Sequence, residues 1–344
     1  MTPVAPDSFQ ITSENRREYP WINVLKLLCA LMVVHIHVPV SYQPYVLPLC
    51  TIAVPVFFII SGYFLTDSRG AFDLGYIRRS VGKIAKITAF AFMLYLALTV
   101  LSDYRHGVKL TESFLDLRNW IEMALFGSWP HEPLWYLTAL LEAYAVILII
   151  SRFGPMEKLR DFVSVISIAF VLQILVCYLI IGPEITDSNR WLAHTFLWPA
   201  LPCLAIGSLI RRVKRLPDMK AIVAAVILLT ALIYLLDYYR EFNGGLMHIQ
   251  CQVVAVALAV TIFVAFLKLD HASNSVWTIA ALGRKHTRNI YIAHSACMLI
   301  VINLMPFLPE YLTAVTTFAV SLVVSAGWNS MQHMKKRLFT PAVR

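Results

Sequence analysis

Charge is scarce in this chain: Asp, Glu, Lys and Arg make up 14% of 344 residues, against a hydrophobic share of 59%. Ordinary globular domains carry about 25% charged residues. That shortage, with apolar runs recurring along nearly the whole length, excludes a soluble domain and points to an all-α, polytopic membrane protein. No CxxC pair is present. Cys29, Cys50, Cys177, Cys203, Cys251 and Cys297 lie within or beside apolar runs, so they read as small buried hydrophobes rather than a disulfide framework. His131-Glu132 lacks the second histidine of HExxH, and no metal site is expected. Internal repeats, low-complexity linkers and a loop long enough for a second domain are all missing. The first twenty residues hold Arg16 and Arg17, but no small-residue cleavage site follows the first apolar run, which is expected to stay as a membrane helix.

What is present is a series of runs long enough to cross a bilayer at about 20 residues each. Ten are expected, near 22–41, 49–66, 81–101, 133–151, 161–182, 194–210, 220–237, 247–268, 287–306 and 311–330. The sixth, with Pro199 and Pro202, is the shortest. Alternate connecting segments collect 23 of the 29 Lys and Arg, the others only five, and Lys26 completes the set. Under the positive-inside rule this asymmetry puts both termini in the cytoplasm. The basic excess therefore reflects topology, and nucleic acid is not an expected partner. The expected organisation is a cytoplasmic segment 1–20, a membrane domain 21–331 and a basic cytoplasmic tail 332–344. Membrane lipid is the implied surrounding; oligomeric state is not legible.

Polar residues inside the runs are the functional signal. Lys26 and His37 are eleven residues apart in the first run, where an ionisable side chain costs roughly 2.5–3.5 kcal/mol. Eleven steps of about 100° leave the two within about 20° of one helix face and about 16 Å apart along the axis. His35 is two positions from His37, about 200° around the helix, and falls on the opposite face from Lys26. The same geometry argues against a His-x-His chelate. Both histidines could instead be core residues bonded to backbone or hydroxyl groups. Glu142 is the other charge in the interior of a run. His37 matches its depth better than Lys26 does, and a histidine–carboxylate pair is a common way to set a base's tautomer.

These residues sit in a wider pattern. Asn23-Val-Leu-Lys26, then His37, are followed by Ala53-Val-Pro-Val-Phe-Phe-Ile-Ile-Ser-Gly-Tyr-Phe-Leu65. Further on come Leu134-Trp-Tyr-Leu137 with Tyr144, and Leu282-Gly283 with Asn289-Ile-Tyr-Ile-Ala-His294. In this order the segments resemble the membrane acyltransferase-three family, whose members open with an acid, a basic residue three positions on and a histidine eleven beyond. A second helix ending Phe-Phe-x-x-Ser-Gly-aromatic, a Trp-x-Leu helix and a late Ile-Tyr-Leu-x-His element complete the likeness, spread over about 270 residues. Two departures stand out: Asn23 occupies the usual acid's place and Lys26 the usual arginine's. The glutamate some members carry five residues after the tryptophan is Leu140 here, with Glu142 displaced onto another face.

The resemblance implies a compact enzyme of bacterial inner membranes, without a fused periplasmic domain, that O-acylates a cell-envelope glycan or related acceptor. Its donor is expected to be a cytoplasmic acyl-CoA, commonly acetyl-CoA. His37 is then the expected base or a transient acyl carrier. Lys26 would hold a donor phosphate or the carbonyl oxygen, unless it only snorkels to the headgroups. Arg78, Arg79 and Lys83 loosely match an arginine pair of the family and suit CoA phosphates, or equally an anionic lipid surface; Arg284 and Arg288 divide the same way. Tyr291 and His294 are expected within two turns of the cytoplasmic surface, sharing a donor pocket with Lys26. Trp135 and Tyr136 belong either to the outer aromatic belt or to a platform for a sugar. Ser61-Gly62 is expected to serve close helix packing rather than nucleophilic chemistry. The alternative function is a transporter or flippase for a glycan or lipid-linked sugar, since intramembrane Lys, His and Glu suit a permeation path as well. A membrane sensor on an inactive transferase fold is a third.

Overall fold

The computed structural model describes residues 18–67, 72–106, 114–154, 161, 199–243, 248–272 and 276–339. Among these the regular structure is helical, apart from isolated bridge residues such as the pair Thr66 and Phe72. The helices are α1 (Pro20–His37), α2 (Gln43–Cys50), α3 (Ala53–Leu65), α4 (Leu74–His106), α5 (Leu117–Leu125), α6 (Trp135–Ile150), α7 (Ala200–Ile210), α8 (Met219–Asn243), α9 (His248–Ala272), α10 (Trp277–Leu304) and α11 (Thr313–Phe339). Seven stretches of the described residues are long and apolar enough to cross a membrane, with α2 and α3 together forming one of them. They coincide with seven of the expected runs. The expected run 161–182 lies outside the described residues but for Asp161. The sixth is the short apolar helix α7, and the ninth is α10, whose first three turns carry Arg284, Lys285 and Arg288.

That last helix departs from its expected start. The apolar run begins at 287, but α10 begins ten residues earlier, at Trp277. The polar stretch 284–289 separates the apolar residues 277–283 from the run in a hydropathy window, yet the helix continues unbroken through it. Tyr291 and His294 consequently sit four to five turns into the helix, at about 3.6 residues per turn.

The core is set by where backbones can touch. Gly283 of α10 lies against the Asn23 carbonyl of α1, and a Cβ there would collide with it. Gly62 of α3 meets the Leu204 backbone, and Gly207 of α7 meets Ile59 and Tyr63. Helices in lipid gain little from hydrophobic burial against each other, so such small-residue contacts and interhelical hydrogen bonds hold them together. The close approach expected of Ser61-Gly62 is made through the glycine. Asp270, at the end of α9, accepts hydrogen bonds from the backbone N–H groups of Trp21 (2.7 Å) and Ile22 (3.0 Å). It thereby caps the otherwise unsatisfied first turn of α1 from the far end of the chain. Tyr95 of α4 donates to the Ile292 carbonyl at 2.6 Å, tying α4 to α10. In contrast, α4 and α8 leave Met93, Leu101, Ile227 and Leu228 exposed, as a lipid-facing surface requires.

Candidate functional site

At the His37 end of α1, two histidines from two helices meet, and a third lies within electrostatic reach of both. The His37 and His294 rings lie 5.4 Å apart, centroid to centroid. The third, His131, lies in the segment before α6, where the charge of His37 reaches it and its own reaches His294. It stacks on Tyr95 at 4.2 Å with planes 14° apart. Parallel packing of α1 on α10 explains the meeting. From the Asn23–Gly283 contact both helices climb the same way, fourteen residues to His37 and eleven to His294.

Hydrogen bonding fixes part of the chemistry. His294 Nδ1 lies 2.6 Å from the Tyr291 carbonyl, so it carries the proton and donates it. Nε2 is then a bare acceptor; it is buried without a partner, as is Nε2 of His131. Two buried imidazole nitrogens near His37 are thus left without a hydrogen-bond partner. Burial pushes the His131 pKa down to about 4; His37 beside it adds to the shift and Glu132 opposes it. His131 is thus uncharged at neutral pH.

Aromatic groups pack around the histidines, with the Tyr291 ring 6.1 Å from that of His294. Tyr291 donates its hydroxyl proton to the Pro133 carbonyl, locking α10 to the turn that starts α6. Tyr136 packs edge-on to Tyr291 at 5.3 Å and against Phe58 at 4.7 Å. Trp135 contacts Phe58 at 6.3 Å. Both therefore face the helix bundle. His35 makes the opposite choice: its two nitrogens engage the Leu31 carbonyl (2.9 Å) and the Tyr42 hydroxyl (3.2 Å).

Lys26 occupies the other end of the face. Its ammonium donates to Asn23 Oδ1 at 3.3 Å and lies 5.7 Å from the Phe64 ring. Asn23 thus still partners the basic residue, as the acid it replaces would. His294 and Tyr291 join His37 rather than Lys26, contrary to the expected shared donor pocket, because α10 starts earlier. Glu142 is half-buried on α6, and one carboxylate oxygen is buried without a hydrogen-bond partner. Arg78, Arg79 and Lys83 are exposed on the first turns of α4. Arg284 pairs with Glu18 at 2.7 Å, both half-exposed, and Arg288 bonds its neighbour Asn289. Among the described residues no group of His, Cys, Asp and Glu is arranged to hold a metal ion. His131 was missed by the sequence reading, which weighed it only as half of a zinc motif.

The segments that meet here are those that carry the resemblance. A family model for the acyltransferase domain of acyltransferase-three proteins matches residues 19–328. The chain belongs to this family. No curated protein and no solved structure matches it. This acyltransferase-three protein is therefore an enzyme, an acyltransferase of a membrane family, with membrane-spanning helices in keeping with it. The match favours transfer over the transport reading.

Proposed function

We propose that this acyltransferase-three protein moves an acyl group, acetyl in the simplest case, from a cytoplasmic acyl-CoA to a hydroxyl of a cell-envelope glycan or related acceptor. The setting proposed is a bacterial inner membrane, crossed ten times, with both termini in the cytoplasm. The observation that carries the reading is the meeting of His37 with His294 and His131, on the same helix face as Lys26 but about 16 Å along it at 1.5 Å per residue.

In the proposed step, His37 takes the proton of the acceptor hydroxyl as its oxygen attacks the thioester carbonyl. The new C–O bond forms, the C–S bond breaks, and the leaving thiolate recovers the proton from the His37 imidazolium. His294 Nε2 accepts from a second hydroxyl of the acceptor, the neutral His131 adds a further polar contact, and Trp135 and Tyr136 pack beside the acceptor. At about 16 Å Lys26 cannot touch a carbonyl that is within reach of His37, so it acts on the donor's phosphates. Glu142, with its bare oxygen, is an acceptor-side carboxylate in this scheme. Arg78, Arg79, Lys83, Arg284 and Arg288 form a basic approach for the donor.

Purified protein in liposomes, given radiolabelled acyl-CoA and an acceptor fraction, tests this. The His37→Ala variant is expected to lose about 10²–10⁴-fold in label transfer, the usual contribution of a positioned base. The Lys26→Ala variant is expected to raise the donor KM with a smaller change in kcat. Transfer unchanged in both variants sinks the reading. Acid- and hydroxylamine-labile label on the wild-type protein in the absence of acceptor, missing from His37→Ala, would make His37 an acyl carrier instead.

A further inference from the structure

A second polar feature lies at the Pro20 end of α1 and is absent from the expected site residues. A cavity of about 220 Å³ opens between the end of α7 and the end of α9. Its rim carries Arg211, Lys214 and Lys268, and its walls include Tyr63, Leu216 and Leu267. Among the described residues none of the three cations has a carboxylate partner. Arg211 is half-buried and held in place: one terminal nitrogen donates to the hydroxyls of Tyr19 (3.0 Å) and Tyr63 (2.8 Å), and the guanidinium lies 4.7 Å from the Tyr63 ring. Its remaining N–H groups are left for another acceptor.

Topology alone explains exposed lysines at a cytoplasmic loop. It does not explain a clamped guanidinium over an apolar-walled cavity. Arginine's fork suits a phosphate oxygen pair, flanking lysines add charge, and Leu216 and Leu267 accept an apolar neighbour of that phosphate. We propose that this cavity is a binding site for a phosphate group attached to an apolar or aromatic moiety. Two sources fit that chemistry: the nucleotide end of the acyl donor, which rests on the function proposed above, and an anionic lipid headgroup. The donor source has a geometric attraction. Tyr63 separates Arg211 from Phe64 (ring centroids 5.2 Å apart), and Lys26 lies over Phe64. The cavity is thus two side chains away from Lys26, at the Pro20 end of the helix face that also carries His37.

The test uses the full chain in nanodiscs and free CoA, which cannot react. In phosphatidylcholine discs, Arg211→Gln and the exposed-side-chain variant Lys214→Glu are each expected to weaken CoA binding tenfold or more by equilibrium dialysis. Exposed Arg152→Glu, outside the cavity, serves as the charge control. A second arm measures co-purifying phosphatidylglycerol by native mass spectrometry. Loss of CoA binding identifies the donor as the source; unchanged CoA binding with tenfold less retained phosphatidylglycerol identifies the lipid. If Lys214→Glu and a folded Arg211→Gln alter neither, the site is refuted. CoA binding is read without catalysis, so the cavity can stand even if the His37→Ala experiment sinks the proposed transfer.

Discussion

His131 shows how a residue outside the membrane runs can be drawn into the site. Stacked on Tyr95, it has a pKa lowered from 6.5 to about 4 by burial first and by the nearby charge of His37 second. Between those values the unfolded chain binds a proton that the folded chain refuses. The folded state is therefore not penalised above about pH 6.5 and loses stability as pH falls toward 4. Replacing His131 with Gln removes this term. Its melting temperature in detergent is expected to fall less than the wild type's between pH 7 and pH 4, and parallel curves would refute the assignment. At this scale the sequence was legible where geometry is local. A 200° turn separates His35 from His37, and the structure gives His35 its own partners while His37 meets His294. His131 was not legible, because nothing in a loop's composition says which helix it will fold against.

At the scale of elements, the α1–α10 contact determines whether the histidines meet at all. A Cβ on Gly283 would strike the Asn23 backbone, which cannot move aside as a flexible side chain could. The Gly283→Ala variant is expected to lose about 1–3 kcal/mol, the usual cost of overpacking. Its label transfer should fall as well, since His37 and His294 are carried apart. Gly82→Ala is the control: nothing lies near its Cβ, and alanine in a helix is favoured over glycine by about 1 kcal/mol. Equal melting temperatures for the two variants would show that the contact does not govern the packing. The element hardest to see in the sequence was this same α10. The polar stretch 284–289 hid its start, and Tyr291 and His294 were set beside Lys26 rather than His37 in consequence. The apolar runs of α1 and α8 were legible because hydropathy and helical length agree there.

For the whole molecule, the class of protein followed from the scarcity of charge and the family from motifs scattered over α1, α3, α6 and α10. What sequence could not supply was their convergence, which depends on glycine contacts between helices far apart in the chain. The number of crossings remains the property that parity can test. Seven stretches are long and apolar enough to span, α7 and α10 would raise the total to nine, and the run 161–182 would make it ten. Nine crossings put the termini on opposite sides; ten put them on the same side. With ten, the basic segments around Arg78, Arg211 and Lys335 all fall on one face, as the positive-inside rule favours. With nine, because the run 161–182 does not cross, every basic segment after it changes sides and the charge asymmetry collapses. A green fluorescent protein fused after Arg344 is therefore expected to fluoresce, while alkaline phosphatase at that position stays inactive. Phosphatase fused at 110, between the third and fourth runs, should be active, and at 154 inactive. Active phosphatase at the C-terminus would mean an odd number of crossings, and Arg211, Lys214 and Lys268 would then face away from any cytoplasmic donor.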